Sequence, residues 1–129
     1  MTTPTQKINL NDQTYARSLL VAERDLAVIM GYREVSTPVQ TSYNTNLTGI
    51  GIGKPTPEEL PKWCRGWFFC APLIIQYQVS IEFKEECNGI TASSGGKRYS
   101  VQIDDHFDAA HALHYAVVKA VTMRLAGAK

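Results

Sequence analysis

Between Leu73 and Phe83 the apolar residues fall on every odd position. Leu73, Ile75, Tyr77, Val79, Ile81 and Phe83 alternate with Gln76, Gln78, Ser80 and Glu82, and only Ile74 breaks the rule. Successive residues of a strand point to opposite faces, so the pattern predicts a strand over 73–83 with one dry and one hydrated side. A strand covered on both faces would be apolar throughout, so a sheet open to water on one side is expected. Two more strands follow. Asn88-Gly89 is a hairpin signal because both residues tolerate positive φ, and it leads into a short strand over 90–93. Ser94-Gly95-Gly96 turns the chain again. Beyond it, Tyr99, Val101 and Ile103 alternate with Arg98, Ser100 and Gln102 in a third strand over 97–103.

Either side of this meander the period changes to that of a helix. Tyr15, Leu19, Ala22, Leu26 and Ile29 recur at spacings of four and three, predicting an amphipathic helix over 12–30. Asn11 suits its N-cap, Asp12 its positive dipole end and Gly31 its left-handed stop. A closing helix is predicted over 106–126, capped by Asp104 or Asp105 and ended by Gly127. Phe107, Ala110, His114, Val117, Val118, Val121 and Leu125 share one of its faces. The opposite side carries Ala109, Ala112, Ala116, Ala120 and Met123 and is nearly uncharged. A solvated helix face normally bears charge, so the Ala109/Ala112/Ala116 side is read as packing on another helix, most simply that of a second copy in a homo-oligomer.

The intervening segments are less regular. Residues 1–10 are polar and form an arm. Tyr32–Val35 reads as a short strand ended by Pro38, and 36–55 as a long loop of Gly, Ser, Thr and Asn whose one charge is Lys54. Thr56-Pro57-Glu58-Glu59 has the form of a capping box with proline at the first helical position, so a short helix is expected there, cut off by Pro61. The order is helix, short helix, three strands, helix. Both long helices need the one apolar sheet face, which makes the chain a single two-layer α+β domain over 1–129.

Composition adds bounds. A chain of 129 residues can bury a core without staples. Its net charge of +1 advertises neither a nucleic-acid nor a membrane partner, and no apolar run approaches the ~20 residues of a membrane helix. The opening residues lack the apolar segment of a signal peptide. Cys64, Cys70 and Cys87 cannot all pair within the chain and show no CxxC spacing, so three reduced thiols in a cytoplasmic protein are expected.

Candidate chemistry sits in a few places. All three histidines fall in the run DDHFDAAHALH, where His106, Asp108, His111 and His114 can be read as a metal or acid–base group, although no HExxH is present and a core role for His114 fits its apolar face. Lys62-Trp63-Cys64-Arg65-Gly66-Trp67 concentrates two tryptophans and two cations beside the polar loop. One ring is expected to lid the core; the cluster also suits a stacking platform for a planar ligand or a partner surface. Trp63, Arg65, Trp67 and Lys62, with Lys54 and Tyr43 from the loop, are therefore the predicted contact region. The Gly49-Ile50-Gly51-Ile52-Gly53-Lys54 run lacks the spacing of a phosphate loop and reads as a mobile loop. Gln76, Gln78, Ser80, Glu82, Arg98, Ser100 and Gln102 on the wet sheet face offer a flat polar surface.

The order helix, three strands, helix resembles a double-stranded-RNA-binding domain. Where that family opens its last helix with a basic run, this chain has Asp104-Asp105-His106-Phe107-Asp108, which would repel phosphate. Val21-Ala22-Glu23 and Met30-Gly31-Tyr32, with the alanine-rich stretch from Asp108-Ala109-Ala110-His111-Ala112-Leu113 through Ala116 to Lys119-Ala120-Val121, resemble small bacteriophage proteins of the ABA-sandwich type. That resemblance implies a phage accessory protein and carries over no catalytic residue. The reading is a non-enzymatic, cofactor-free binding module of the host cytoplasm, which occupies a host protein or sequesters a nucleotide-like ligand in counter-defence. Alternatives are a small metal-dependent enzyme using His106, His111 and His114, a single-stranded nucleic-acid-binding protein, and a structural virion component.

Overall fold

The computed structural model describes residues 12–37 and 42–127; the expected N-terminal arm, Asn11 and part of the polar loop lie outside them. Helix α1 spans Gln13–Met30. Asp12 is its N-cap, accepting hydrogen bonds from the Thr14 and Tyr15 N–H groups at 2.8 and 3.2 Å. Gly31 ends it with φ at 104°, a conformation other residues resist. Leu19, Leu20, Leu26 and Ala27 are fully buried.

The polar loop is more ordered than its composition suggests. Strand β1 (Thr48–Gly49) pairs antiparallel with β2 (Glu58–Glu59), and Arg33 bridges Ile50. The short helix expected at Thr56–Glu59 is thus a strand. Pairing there brings Leu60 N–H onto the Leu47 carbonyl at 2.8 Å and buries both leucines, which a single helical turn would not do. The first half of the glycine run is packed, since a Cβ on Gly49 would meet Leu60 and Val35 at 3.3 Å, whereas Ile52, Gly53 and Lys54 are exposed.

The larger departure is helix α2, Trp67–Gln76, which takes the first part of the segment expected as strand. Cys70 and Leu73 are buried on its inner side, and α2 lies against α3 (Ala109–Gly127). Pro72 sits inside the helix but on its exposed side, so the Phe68 carbonyl that loses its intrahelical donor is at the water side. The strand proper, β3, is Ser80–Lys84. With β4 (Gly89–Ser94) and β5 (Lys97–Gln102) it forms the expected antiparallel meander in the order β3-β4-β5. Register runs Glu82 to Thr91 and Phe83 to Ile90, then Ile90 to Val101 and Thr91 to Ser100.

Among the described residues this makes an α+β protein of three helices and antiparallel strands. Helix α3 is its hub: it lies on β4 and β5 and also packs against α1 and α2. Ile90 and Ala92 of the central strand and Val117, Val118 and Val121 of α3 are buried to 1% exposure or less. The alanine side of α3 is spent in the same way. Ala112, Ala116 and Ala120 have no exposure, because small side chains let the neighbouring elements approach; Ala109 and Met123, at the two ends of that side, are exposed. The face predicted to meet a second copy is interior at Ala112 and Ala116. Asp108, not Asp104 or Asp105, caps α3, accepting the His111 N–H at 2.8 Å; residues 103–105 form a 3-10 turn.

Candidate functional site

The segment after β2 carries the predicted contact residues, and the structure divides them. Trp63 is buried, 5% exposed, with its ring edge-on to Tyr32. Arg65 is buried as well. Its Nε donates to Glu23 Oε2 at 3.0 Å and its Nη2 to Oε1 at 2.7 Å, while Nη1 donates to the Tyr43 and Thr45 carbonyls at 2.7 and 2.6 Å. The Cys64 N–H adds a third bond to Glu23 at 3.0 Å. Burial pushes the Glu23 carboxyl upward, and Arg65 and the Cys64 amide oppose it. A guanidinium with four of its five N–H donors committed this way, on a side chain 2% exposed, is not presented to an outside phosphate, so Arg65 and Trp63 hold the core together and pin the polar loop to α1. Tyr43 belongs to the same network, its hydroxyl lying between the Arg65 carbonyl at 3.0 Å and His111 Nε2 at 2.8 Å. Lys62 is half-buried, whereas Lys54 is exposed with its carbonyl near Arg33.

The histidines do not converge on one point. His111 Nδ1 meets Asp108 Oδ1 at 2.8 Å. Burial raises the Asp108 carboxyl, but the His111 backbone and ring bonds outweigh that and hold it below the usual range. His114 is 5% exposed under a near-parallel Trp67 ring 5.7 Å away. Among the described residues its Nδ1 has no hydrogen-bond partner, and burial lowers its pKa, with a bond to the Cys64 backbone opposing. His106 turns the other way, to the Tyr15 hydroxyl at 3.0 Å. Among the described residues no group of three or more His, Cys, Asp or Glu side chains is placed to hold a metal ion. Cys64 and Cys70 are buried with thiols pushed up, to about 12 for Cys70, and Cys87 is exposed.

Two surfaces remain that the sequence did not single out. The first is the outer side of α2. This helix contains no charged residue, yet Phe68 is 83%, Ile75 79% and Trp67 57% exposed. Phe68, Pro72 and Ile75 follow the four- and three-residue spacing of one helix face, opposite Cys70 and Leu73. Phe83, on the edge strand β3, is also 59% exposed. A helix reading of 67–76 would have shown this two-sided apolar pattern; the period-two alternation concealed it.

The second is a cleft of about 350 Å³ at the outer edge of β5, closed by α1, the 3-10 turn and α3. Tyr15, Tyr99, His106 and Tyr115 form its aromatic walls, Ser18 and residues 100–102 its floor, and Asp105 its rim. The Tyr15 hydroxyl also accepts the Phe107 N–H at 3.2 Å. The wet sheet face is present as expected through exposed Ser80, Glu82, Arg98, Ser100 and Gln102, whereas Gln76 falls in α2 and Gln78 in the turn before β3.

The chain matches no family model, and no curated protein or solved structure is significantly similar to it. No helix among the described residues is long and apolar enough to cross a membrane.

Proposed function

We propose that this chain is a non-enzymatic binding module that docks a protein partner on the outer face of α2. The observation that carries the reading is the exposure of Phe68 and Ile75 on a helix without a single charge. Leaving such side chains in water forgoes about 1.5–3 kcal/mol apiece, a loss that a bound partner would recover. Contiguous exposed apolar faces of this kind mark interaction sites. An amphipathic helix or an apolar loop of another protein is the fitting occupant, with Trp67 as anchor: its ring is large, already braced on His114, and still half in solvent. The resemblance of 21–32 and of the alanine-rich closing helix to phage ABA-sandwich proteins supports a bacterial host protein as partner, met in the host cytoplasm as in counter-defence. The predicted contact region thereby moves from Trp63 and Arg65 to Trp67, Phe68 and Ile75.

The test is site-specific photo-crosslinking in the host cell, with the reactive residue at position 68 or 75 and, as control, at position 82 on the wet sheet face. A discrete adduct with one host protein from 68 and 75, absent from 82, supports the reading. Equal labelling from all three positions, or a covalent dimer of the chain itself, overturns it.

A further inference from the structure

The cleft beside β5 shares no residue with α2 and has its own chemistry. The geometry points to a binding site for a methylated or quaternary ammonium head group, held among Tyr15, Tyr99, Tyr115 and His106 with Asp105 at the rim. The four rings meet in sequence at steep angles. Tyr15 and His106 lie 5.7 Å apart at 74°, His106 and Tyr115 5.1 Å at 50°, and Tyr115 and Tyr99 6.0 Å at 64°. Rings that meet their neighbours at such angles turn corners instead of lining a flat stacking slot. They form a box, and a box of π-faces suits a compact, rounded cation.

Charge argues the same way. Asp105 is the acidic side chain of the lining, and no Lys or Arg among the described residues contributes to it. Burial lowers the His106 pKa, against a smaller upward push from Asp105, so the ring stays neutral near pH 7. Burial raises the Tyr15 and Tyr115 hydroxyls to about 12, which keeps both from adding negative charge. A phosphate or carboxylate would enter against Asp105 with no Lys or Arg in the lining to receive it. Two of these rings already attract a cation: Lys119 Nζ lies 5.6 Å from the Tyr99 centroid and 6.0 Å from that of Tyr115.

The experiment titrates the full chain with choline, with trimethyllysine and with 3,3-dimethylbutan-1-ol, the uncharged carbon isostere of choline. Backbone amide resonances of Ser100, Val101 and His106 report binding. Saturable shifts with at least one ammonium, at least about tenfold weaker with the isostere, are expected. Whichever ammonium binds more tightly shows whether a free small molecule or a methylated side chain is the source. Tyr115→Phe, which keeps the ring, retains binding and checks that the fold tolerates change there; Tyr115→Leu loses it. Asp105→Asn weakens binding severalfold. Equal affinity for the isostere, or no saturable shift with either ammonium, overturns the proposal.

Discussion

Arg65 and Glu23 face each other as a bidentate pair inside the core, with side-chain exposures of 2% and 0%. The two residues are 42 positions apart, and the pair fastens the chain after β2 to the middle of α1. Removing one partner strands a buried charge. Arg65→Met is expected to cost about 3–5 kcal/mol. Glu23→Leu combined with Arg65→Met should recover much of that, because the charge left behind is then gone. Urea unfolding of the two single mutants and the double mutant measures both the loss and the recovery.

Acid should weaken the fold through its histidines before its carboxylates. His106 and His114 have folded-state pKa values lowered by burial from about 6.5. Their contribution is therefore complete above pH 6.5 and is lost as pH falls through that value toward the folded pKa. The groups facing His114 are His111, which lowers its pKa further, and Asp108, which raises it. Replacing His114 by Phe should flatten the fall in thermal midpoint between about pH 6.5 and pH 5 relative to the wild type. An unchanged slope would show that His114 does not contribute.

The two sides of α2 should respond oppositely to truncation. Leu73→Ala empties a buried site and is expected to cost about 2–5 kcal/mol. Phe68→Ser with Ile75→Ser changes only exposed residues, so stability should shift by no more than about 0.5 kcal/mol per site while partner crosslinking is lost. Thermal melts and the crosslinking assay on the same samples separate the two outcomes.

Gly95 is held by conformation and by space. It has φ of 57° in the β4–β5 turn, and a Cβ there would stand 2.7 Å from Arg124 Nε. Arg124 cannot swing away freely, since Nη1 donates to the Tyr77 carbonyl at 2.6 Å and to Ser94 Oγ at 3.0 Å. Gly95→Ala should lower stability by about 1–3 kcal/mol. Gly96→Asn should cost less, because nothing crowds a Cβ there and Asn tolerates the positive φ of 81°. Denaturant midpoints of the two variants rank them.

Thiol accessibility gives a simple check on packing. With Cys64 and Cys70 buried and Cys87 exposed, one equivalent of iodoacetamide should add to the native chain and three after unfolding. Mass spectrometry of intact protein counts the adducts.

The strand reading failed over 73–79 for a specific reason. Cys70, Leu73, Ile74 and Tyr77 are spaced by three, four and seven residues, so this segment satisfies a helical period as well as an alternating one. Pro72 argued against a helix, but a proline on the water side leaves its orphaned carbonyl solvated. Contact with α3 decided between the two. The Thr56–Glu59 capping box lost in the same way to the burial of Leu47 and Leu60 in strand pairing.

The candidate surfaces were less legible than the fold. Tyr15 reads as one more apolar position of α1, and Tyr99 as one more residue of an alternating strand. Nothing local tells that their rings meet His106 and Tyr115 around a cavity. Arg65 and Trp63 look in sequence like a contact cluster because exposed and buried cations are written with the same letter.

By itself the sequence determined what short-range physics controls. That includes the limits of α1, the two glycine-bearing turns, the alternation of β5 and the C-terminal end of α3, each fixed by period or by residues that permit positive φ. Tertiary structure decided what depends on partners distant in the chain: whether 67–76 coils, which cation is desolvated against Glu23, and whether Ala112 and Ala116 of α3 meet a second copy or the interior of their own. The first set is governed by neighbours within a turn of chain, the second by which apolar surfaces find each other once those turns exist.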